Sequence, residues 1–239
     1  MSRHRHPHPV IVTVARVAAF AGALALMPVA VGQVPPDAIE RGAYRGLFAA
    51  AHQGDAGAVA KLVAAGANPN ARDGHGRTPL HVAAFARRHD AMRALAAAGA
   101  DPNALENDRY DIVTIAAVAD DVPTLVVALA IGGKATNVTS RYDGTALIAA
   151  AHLGHDGVVR ELVGAGAPLD HVNNLGWTAL IESIVLGNGG NRHVATLKAL
   201  VDAGADVNLA DRSGSTPLAL AKGRGYREMV ALLQKAGAR

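Results

Sequence analysis

The chain of 239 residues is half apolar, yet only 3% of its residues are aromatic. It carries 23 Lys and Arg against 20 Asp and Glu, and it contains no Cys. The absence of Cys excludes a thiol nucleophile and suits an oxidising compartment, where a stray thiol would be a liability.

The N-terminal segment has the order of features of a secretory signal peptide. A basic stretch precedes an uncharged apolar run over 17–31, and the small residues Ala30 and Gly32 suit cleavage by a signal peptidase. The apolar run is shorter than the ~20 residues of a membrane-spanning helix. We therefore predict a signal peptide over 1–32. An uncleaved membrane anchor is the alternative, and only in that case is membrane association expected.

Removal of this segment changes the charge of the protein. Arg3, Arg5 and Arg16 lie in it and no acidic residue does, so the remaining chain has equal numbers of basic and acidic residues. The charge balance therefore does not favour binding to nucleic acid. The abundance of Ala, and of Arg over Lys, is typical of a bacterium with a GC-rich genome, which would make the compartment the periplasm.

After residue 40 the sequence repeats with a period of about 33 residues. The segment Gly66-Ala67-Asn68-Pro69-Asn70 returns at 99–103 and at 204–208. A second marker, Thr78-Pro79-Leu80-His81, recurs in modified form at 145–148, 178–181 and 216–219. This pattern resembles the ankyrin repeat, a β-turn followed by two antiparallel helices. The resemblance implies an all-α repeat solenoid, an ankyrin array of helix-turn-helix units with short β-hairpin connections.

The predicted organisation places an extended lead-in over 33–40, where Pro35-Pro36 disfavours helix, before an ankyrin repeat domain over 41–239. Six repeats are predicted, at about 41–71, 72–104, 105–137, 138–170, 171–209 and 210–239. The third is the most degenerate, because Asp111-Ile112-Val113-Thr114 replaces the second marker. Such a solenoid buries thin layers of Ala, Leu and Val between neighbouring repeats, which accounts for the scarcity of aromatic residues.

The resemblance also implies where a partner would bind. Ankyrin proteins usually contact partners with the hairpin tips and with the exposed side of each first helix, on the concave face. The residues of this chain at those positions are His75, Arg77, Phe85, Asn107, Asp108, Tyr110, Arg141, Tyr142, His152, Leu175 and Trp177. Tyr44 also falls at a tip position. Aromatic residues and Arg are frequent hot spots of interfaces, so we expect a protein-binding surface there.

Three features allow a second interpretation. Tyr142 and Trp177 could fold back over neighbouring hairpins and only stabilise them. The insertion 187–191 in repeat five could be a tolerated, flexible surface loop or a contact finger at the rim of the groove. The second helix of repeat three, from Pro123 to Ile131, is apolar nearly all round, so it is either buried or exposes an apolar patch. We favour burial.

Catalytic chemistry finds little support in the sequence. None of the serines after residue 32 lies in a Gly-x-Ser-x-Gly elbow. His81 is the histidine of the second marker and is expected to hydrogen-bond backbone across repeats. His152 and His155 flank a turn typical of the family. We therefore expect no catalytic residue, no metal and no cofactor.

The resulting expectation is a monomeric, non-enzymatic protein-binding module of the bacterial periplasm. Two functions are compatible with such a module. One is immunity, by blocking a toxin or envelope hydrolase, and the other is an accessory role beside an envelope stress enzyme. The alternative is an effector exported further, which would bind proteins of a host or rival cell.

Overall fold

The structure, a computed structural model, describes residues 33–239. The predicted signal peptide lies outside the described residues. Thirteen helices and two short strands are present in the described part of the chain. Their bounds are α1 Ala38–Ala43, α2 Gly46–Gln53, α3 Ala56–Ala64, α4 Pro79–Phe85, α5 His89–Ala97, α6 Ile112–Val118, α7 Val122–Ala130, β1 Val138–Thr139, β2 Gly144–Thr145, α8 Ala146–Leu153, α9 Asp156–Gly164, α10 Ala179–Val185, α11 Asn191–Asp202, α12 Pro217–Gly223 and α13 Arg227–Lys235.

From α2 onward the helices form six antiparallel pairs, one pair for each predicted repeat. Each first helix (α2, α4, α6, α8, α10, α12) packs against its own second helix and against the first helices of the neighbouring repeats. The second helices form a parallel outer row in the same order. The predicted solenoid of helix-turn-helix units is therefore confirmed.

Five of the six first helices, all except α2, begin with a side-chain cap. The Thr78 side chain accepts a hydrogen bond from the backbone N–H of His81, and Pro79 occupies the first helical turn, where its missing N–H is not needed. Repeat three, whose marker is degenerate, keeps this chemistry with a different residue. Asp111 Oδ1 accepts from Thr114 N at 2.8 Å. The cap therefore survives in the repeat whose sequence departs most from the pattern.

The connections between repeats are tight turns. Only β1 and β2 pair as strands within 33–239, with Val138 opposite Thr145. The tip of repeat two is closed by a bond from Asp73 N to Arg77 O at 3.0 Å, and that of repeat five by a bond from Asn173 N to Trp177 O at 3.0 Å. The expected hairpin thus takes the form of a closed turn at most tips.

The lead-in differs from the expectation. Residues 33–40 were predicted to be extended, but α1 begins at Ala38. Asp37 starts it with a capping box: Asp37 Oδ1 accepts from Glu40 N, and Glu40 Oε2 accepts from Asp37 N, both at 2.8 Å. This reciprocal cap starts a helix directly after Pro36, so the extended prediction is wrong for the second half of the segment.

The core is a stack of small aliphatic side chains. Leu80, Val113, Leu147 and Leu180 occupy the same position in the successive first helices α4, α6, α8 and α10 and are at most 1% exposed. Alanines such as Ala83 and Ala150, also fully buried, let neighbouring helices approach closely. Each layer is thin, so no repeat buries enough apolar surface alone. Between residues 33 and 239, no helix combines the length and apolar character needed to cross a bilayer.

Candidate protein-binding surface

The hairpin tips are joined to one another through their backbones. Asn107 N donates to His75 O at 3.0 Å, and Ser140 N donates to Arg109 O at 2.9 Å. The bond from Asn174 N to Tyr142 O, at 2.9 Å, continues the series into repeat five. Because these bonds link successive repeats, the tips form one connected edge rather than independent loops.

Ion pairs reinforce this edge. Arg141 Nη2 lies 3.0 Å from Asp108 Oδ1, and Arg109 Nη1 lies 2.9 Å from Asp143 Oδ1. The structure therefore brings two predicted site residues, Asp108 and Arg141, together across neighbouring tips. Arg141 remains about half exposed, and such exposed pairs stabilise a protein by no more than about 1 kcal/mol. Both groups can exchange partners at little cost.

Arg77 does not belong to an accessible surface. Its side chain is 1% exposed and pairs with Asp73, at 2.8 Å, and with Glu40. Its Nη1 also donates to Val34 O at 3.2 Å. The expectation that Arg77 forms part of the partner-binding surface is wrong, because the lead-in segment and α1 cover its guanidinium. His75, its exposed neighbour, pairs with Glu40 at 3.1 Å.

Several of the predicted aromatic anchors are half-buried against the hydrophobic core: Tyr44, Phe85 and Tyr110. Tyr44 Oη donates to Asp73 Oδ2 at 3.0 Å, and its ring stacks on Phe48 with centroids 5.5 Å apart. Burial, followed by the nearby Asp108 charge, raises the pKa of Tyr110. These three rings, predicted as parts of the binding surface, therefore also pack against the core.

Tyr142 and Trp177 differ from the other aromatics. Both are half-buried, and neither packs against the core cluster. Their backbones lie on the neighbouring tips of repeats four and five, which the bond from Asn174 to Tyr142 joins. Leu175, on the same tip as Trp177, is also partly exposed. The structure therefore concentrates the least packed aromatic side chains at one place along the edge.

The first helices supply the adjoining part of the concave face. Phe85 and His152 occupy the same helical position in α4 and α8 and are both partly exposed. Leu153, which follows His152, is 40% exposed. Val185 stands at the matching position of α10 and is also partly exposed. Partly exposed apolar side chains therefore lie at the C-terminal ends of α8 and α10, one helix length from the tips of repeats four and five.

Glu182 is a residue of this face that the sequence analysis missed. It is 5% exposed, and its Oε1 accepts a hydrogen bond from Asn173 Nδ2 at 2.7 Å. Its Oε2 lies 3.5 Å from His152 Nδ1. The other first helices carry Ala49, Val82, Ile115, Ala149 and Leu220 at this position. One acidic residue in an otherwise aliphatic column was a signal that alignment of the repeats could have revealed.

Asn173 connects Glu182 to the tip. Its Oδ1 accepts from Leu175 N and from Trp177 N, both at 3.0 Å. The Glu182 carboxylate thus fixes the Asn173 amide, which in turn fixes the turn that carries Trp177. The position of the tip that carries Trp177 therefore depends on the buried Glu182 carboxylate in the first turns of α10.

The insertion 187–191 is held at several points. Tyr226 Oη donates to Gly187 O at 2.9 Å, and His193 Nε2 donates to His152 O at 3.0 Å. Gly189 has φ +69°, and a Cβ there would lie 2.5 Å from the Tyr226 ring. His193 Nδ1 also lies 3.0 Å from Asn188 Oδ1, so these contacts tie the loop to the repeats on either side, and the interpretation as a flexible loop is not supported.

The second helix of repeat three is only partly covered. Leu125, Val127 and Ala128 of α7 are buried, in line with the favoured interpretation. Val126 on the outer side is 46% exposed. This apolar surface lies on the convex side, away from the tips.

The histidines join repeats rather than gather at a metal site. His81 Nε2 lies 3.2 Å from Tyr110 O, which confirms the expected bond across repeats. His155 Nδ1 lies 2.9 Å from Ala117 O. Burial lowers the pKa of His81, so a neutral ring bridges the repeats. Within the described part of the chain, no three histidine or acidic residues are grouped as a metal ion would require.

Comparison with known proteins agrees with this architecture. A family model described as ankyrin repeats (3 copies) matches residues 17–106 and 112–211. The chain belongs to the ankyrin repeat family. The first matched range begins inside the predicted signal peptide. YahD, an ankyrin repeat protein of Escherichia coli (strain K12), is 35% identical over 190 residues, which cover 79% of this chain and 94% of YahD.

Solved structures share the fold. An ankyrin repeat domain from Acinetobacter baumannii AYE has a TM-score of 0.75 and 42% identity, and the match covers 81% of this chain and 98% of that one. A chain from the complex of the Bdellovibrio bacteriovorus predatory endopeptidase Bd0816 with immunity protein Bd3460 has a TM-score of 0.66 and 24% identity, over 80% and 98% of the two chains. Ankyrin repeat domains are generally non-enzymatic modules that bind proteins, and the comparisons indicate no catalytic family.

Proposed function

We propose that this ankyrin repeat protein is a non-enzymatic module of the bacterial periplasm that grips one protein partner with its concave face. The observation that carries the proposal is the placement of Tyr142 and Trp177. These aromatic side chains sit on joined neighbouring tips, are incompletely buried and are free of the core cluster. Large aromatic residues at the centre of a surface are the usual anchors of protein interfaces.

The surroundings of the two rings suit an interface. The partly exposed Leu175 supplies apolar surface on the tip that carries Trp177, and Leu153, at 40% exposure, and Val185 add apolar surface at the far ends of α8 and α10. The Asp108–Arg141 pair supplies exposed charge on the tip edge next to Tyr142. An apolar centre with a polar rim is the common anatomy of protein interfaces. The backbone bonds between tips hold this arrangement before binding, which lowers the entropic cost of association.

The periplasmic location rests on the predicted signal peptide and on the absence of Cys. It is tested by separating periplasmic, membrane and culture fractions and by sequencing the N terminus of the purified protein. A periplasmic protein that starts at Gln33 supports the proposal. Protein in the culture supernatant would favour the exported effector, and an intact N terminus in the membrane fraction would favour the uncleaved anchor.

Two classes of partner fit a periplasmic module of this kind: a toxin or envelope hydrolase that the protein blocks, and an envelope stress enzyme that it assists. A chain of the same fold occurs in a complex of an endopeptidase with an immunity protein. At 24% identity this similarity concerns the fold alone. It serves here to choose envelope hydrolases as the first partners to test.

The binding experiment uses protein expressed from the full sequence as bait for envelope and secreted proteins, followed by mass spectrometry. The double variant Tyr142→Ala/Trp177→Ala runs beside the wild type. Val126→Ala is the matched control, because Val126 is an exposed apolar residue on the convex side. We expect a protein that the wild type and the control capture and the double variant loses. Equal capture by all three would place the site elsewhere, with the 187–191 loop tested next.

A further inference from the structure

The Glu182 carboxylate has a feature that protein binding in general does not explain. It is 5% exposed, yet it receives one hydrogen bond from the described residues, from Asn173 Nδ2 at 2.7 Å. A carboxylate has about four acceptor sites. Burial of a charge is unfavourable unless it is paired and hydrogen-bonded. Glu182 therefore presents a buried carboxylate with unused acceptor capacity beneath the concave surface.

No strong counter-charge lies beside the Glu182 carboxylate. Within residues 33–239, His152 is the only basic side chain within 4 Å of it, and Oε2 is 3.5 Å from the ring nitrogen. Two arginines of repeats four and five have other partners: Arg141 pairs with Asp108, and Arg192 pairs with Asp120. His152 itself is 35% exposed on the concave face, so it separates Glu182 from the solvent without enclosing it.

The wider surroundings attract a cation. Repeats three to five, residues 105–209, contain twelve acidic and six basic residues, whereas 210–239 contain two acidic and six basic residues. The middle of the array is thus negative although the chain after residue 32 is balanced. Charge of one sign around a cleft steers groups of the opposite sign towards it.

The neighbouring side chains suit a long basic residue. Val185 follows Glu182 by three positions and therefore lies on the same helix face. Leu153 is 40% exposed next to His152. Lys and Arg bury their aliphatic stems along apolar surface and present the charge at the end. An aliphatic strip that leads to a buried carboxylate matches that chemistry.

We infer that the recess formed by Glu182, Asn173 and His152 receives a lysine or arginine side chain of the protein partner. The basic group displaces the His152 ring, reaches Glu182 Oε2 and completes the ion pair that the isolated chain lacks. Asn173 links this contact to the tip that carries Trp177, so Glu182 and Trp177 contact the partner together. The inference rests on the proposed function and adds the chemistry of the residue that is recognised.

The test is selection of random 12-residue peptides displayed on phage against the full-length protein, followed by titration of the selected synthetic peptides. Glu182→Gln is the test variant, because its amide oxygen can still accept from Asn173 while the charge is lost. Asp202→Asn is the matched control, since it removes one negative charge from an exposed carboxylate on α11, the second helix of the same repeat and outside the proposed binding surface. Thermal melts establish that both variants remain folded.

We expect the selected peptides to share a Lys or Arg. Replacement of that residue by norleucine, and Glu182→Gln, should each weaken binding by about tenfold or more, as loss of one partner of a desolvated charge pair does. Asp202→Asn should change it by less than about threefold, as expected of an exposed charge outside the binding surface. Selected peptides without a basic residue, or equal binding to Glu182→Gln, would overturn the inference and leave the protein-binding proposal intact. Failure to select any peptide would count against both.

Discussion

Replacement of Arg77 by Met tests whether a buried ion pair fixes the N-terminal end of the array. The Arg77 side chain is 1% exposed, and it bonds Asp73 at 2.8 Å as well as Glu40 on α1. Methionine fills a similar volume but leaves both carboxylates without their cation. Breaking a buried pair costs about 3–5 kcal/mol. The carboxylates keep 12% and 24% exposure and can regain water, so we expect a loss of about 2–4 kcal/mol.

The assay is thermal unfolding followed by circular dichroism. For a domain of this size the expected loss lowers Tm by about 4–16 °C. Arg141→Met is the matched control, because the Arg141 pair with Asp108 is 52% and 28% exposed and contributes at most about 1 kcal/mol. Equal melting temperatures for the two variants would refute the argument, since burial is the property that distinguishes the two arginines.

The same cluster gives a pH dependence with a definite sign. For Asp73, burial raises the pKa, but hydrogen bonds from Arg77 and His75 outweigh it and the net shift is downward. For Glu40, the bond from the Asp37 backbone and then the Arg77 contact lower the pKa. As the pH falls, Asp73 and Glu40 therefore take up protons in the unfolded chain before they do so in the folded protein. The stabilisation is present above the usual carboxyl pKa of about 4 and is lost as pH falls through the lowered values. Arg77→Met should flatten this acid dependence of Tm.

The remaining predictions concern the core, the proposed site and the inserted loop. Leu80→Ala should lower the free energy of unfolding in urea by about 2–5 kcal/mol, because a fully buried leucine leaves a cavity; a loss under about 1 kcal/mol would contradict the packing described. Trp177→Ala should cost about 1–2 kcal/mol, since the ring is only half-buried, and a larger loss would make Trp177 a structural residue. Gly189→Ala should cost at least about 1–2 kcal/mol from its left-handed backbone alone, with unchanged stability showing that the loop is free. Tyr226→Phe should cost about 0.5–1.5 kcal/mol through the lost bond to the loop, measured in the same urea titrations.

The candidate site shows where inference from position in a repeat succeeds and where it stops. Asp108 and Arg141 were placed on tips, and the structure pairs them across neighbouring repeats. Arg77 was placed by the same rule, but the first repeat has a helix where the other repeats have a tip. The capped turn from Asp37 to Glu40 delivers a carboxylate to the Arg77 guanidinium. At the N-terminal end of the array, α1 therefore covers Arg77 and removes it from the accessible surface.

The sequence by itself determined the repeat, the helix pairs and the inward-facing positions. These features follow from local chemistry: the Thr78 cap, Pro79 in the first helical turn and the aliphatic side chain at the position of Leu80. Similar residues recur in the other repeats. Only the tertiary structure decided the surroundings of individual side chains. Alignment of the repeats marks Glu182 as unusual, but only the packing of α8 against α10 places His152 3.5 Å from its carboxylate. The physical reason is the distance over which each interaction acts. Helix caps and the pattern of apolar residues depend on residues within one repeat, whereas the burial and charge pairing of a side chain depend on the neighbouring repeat.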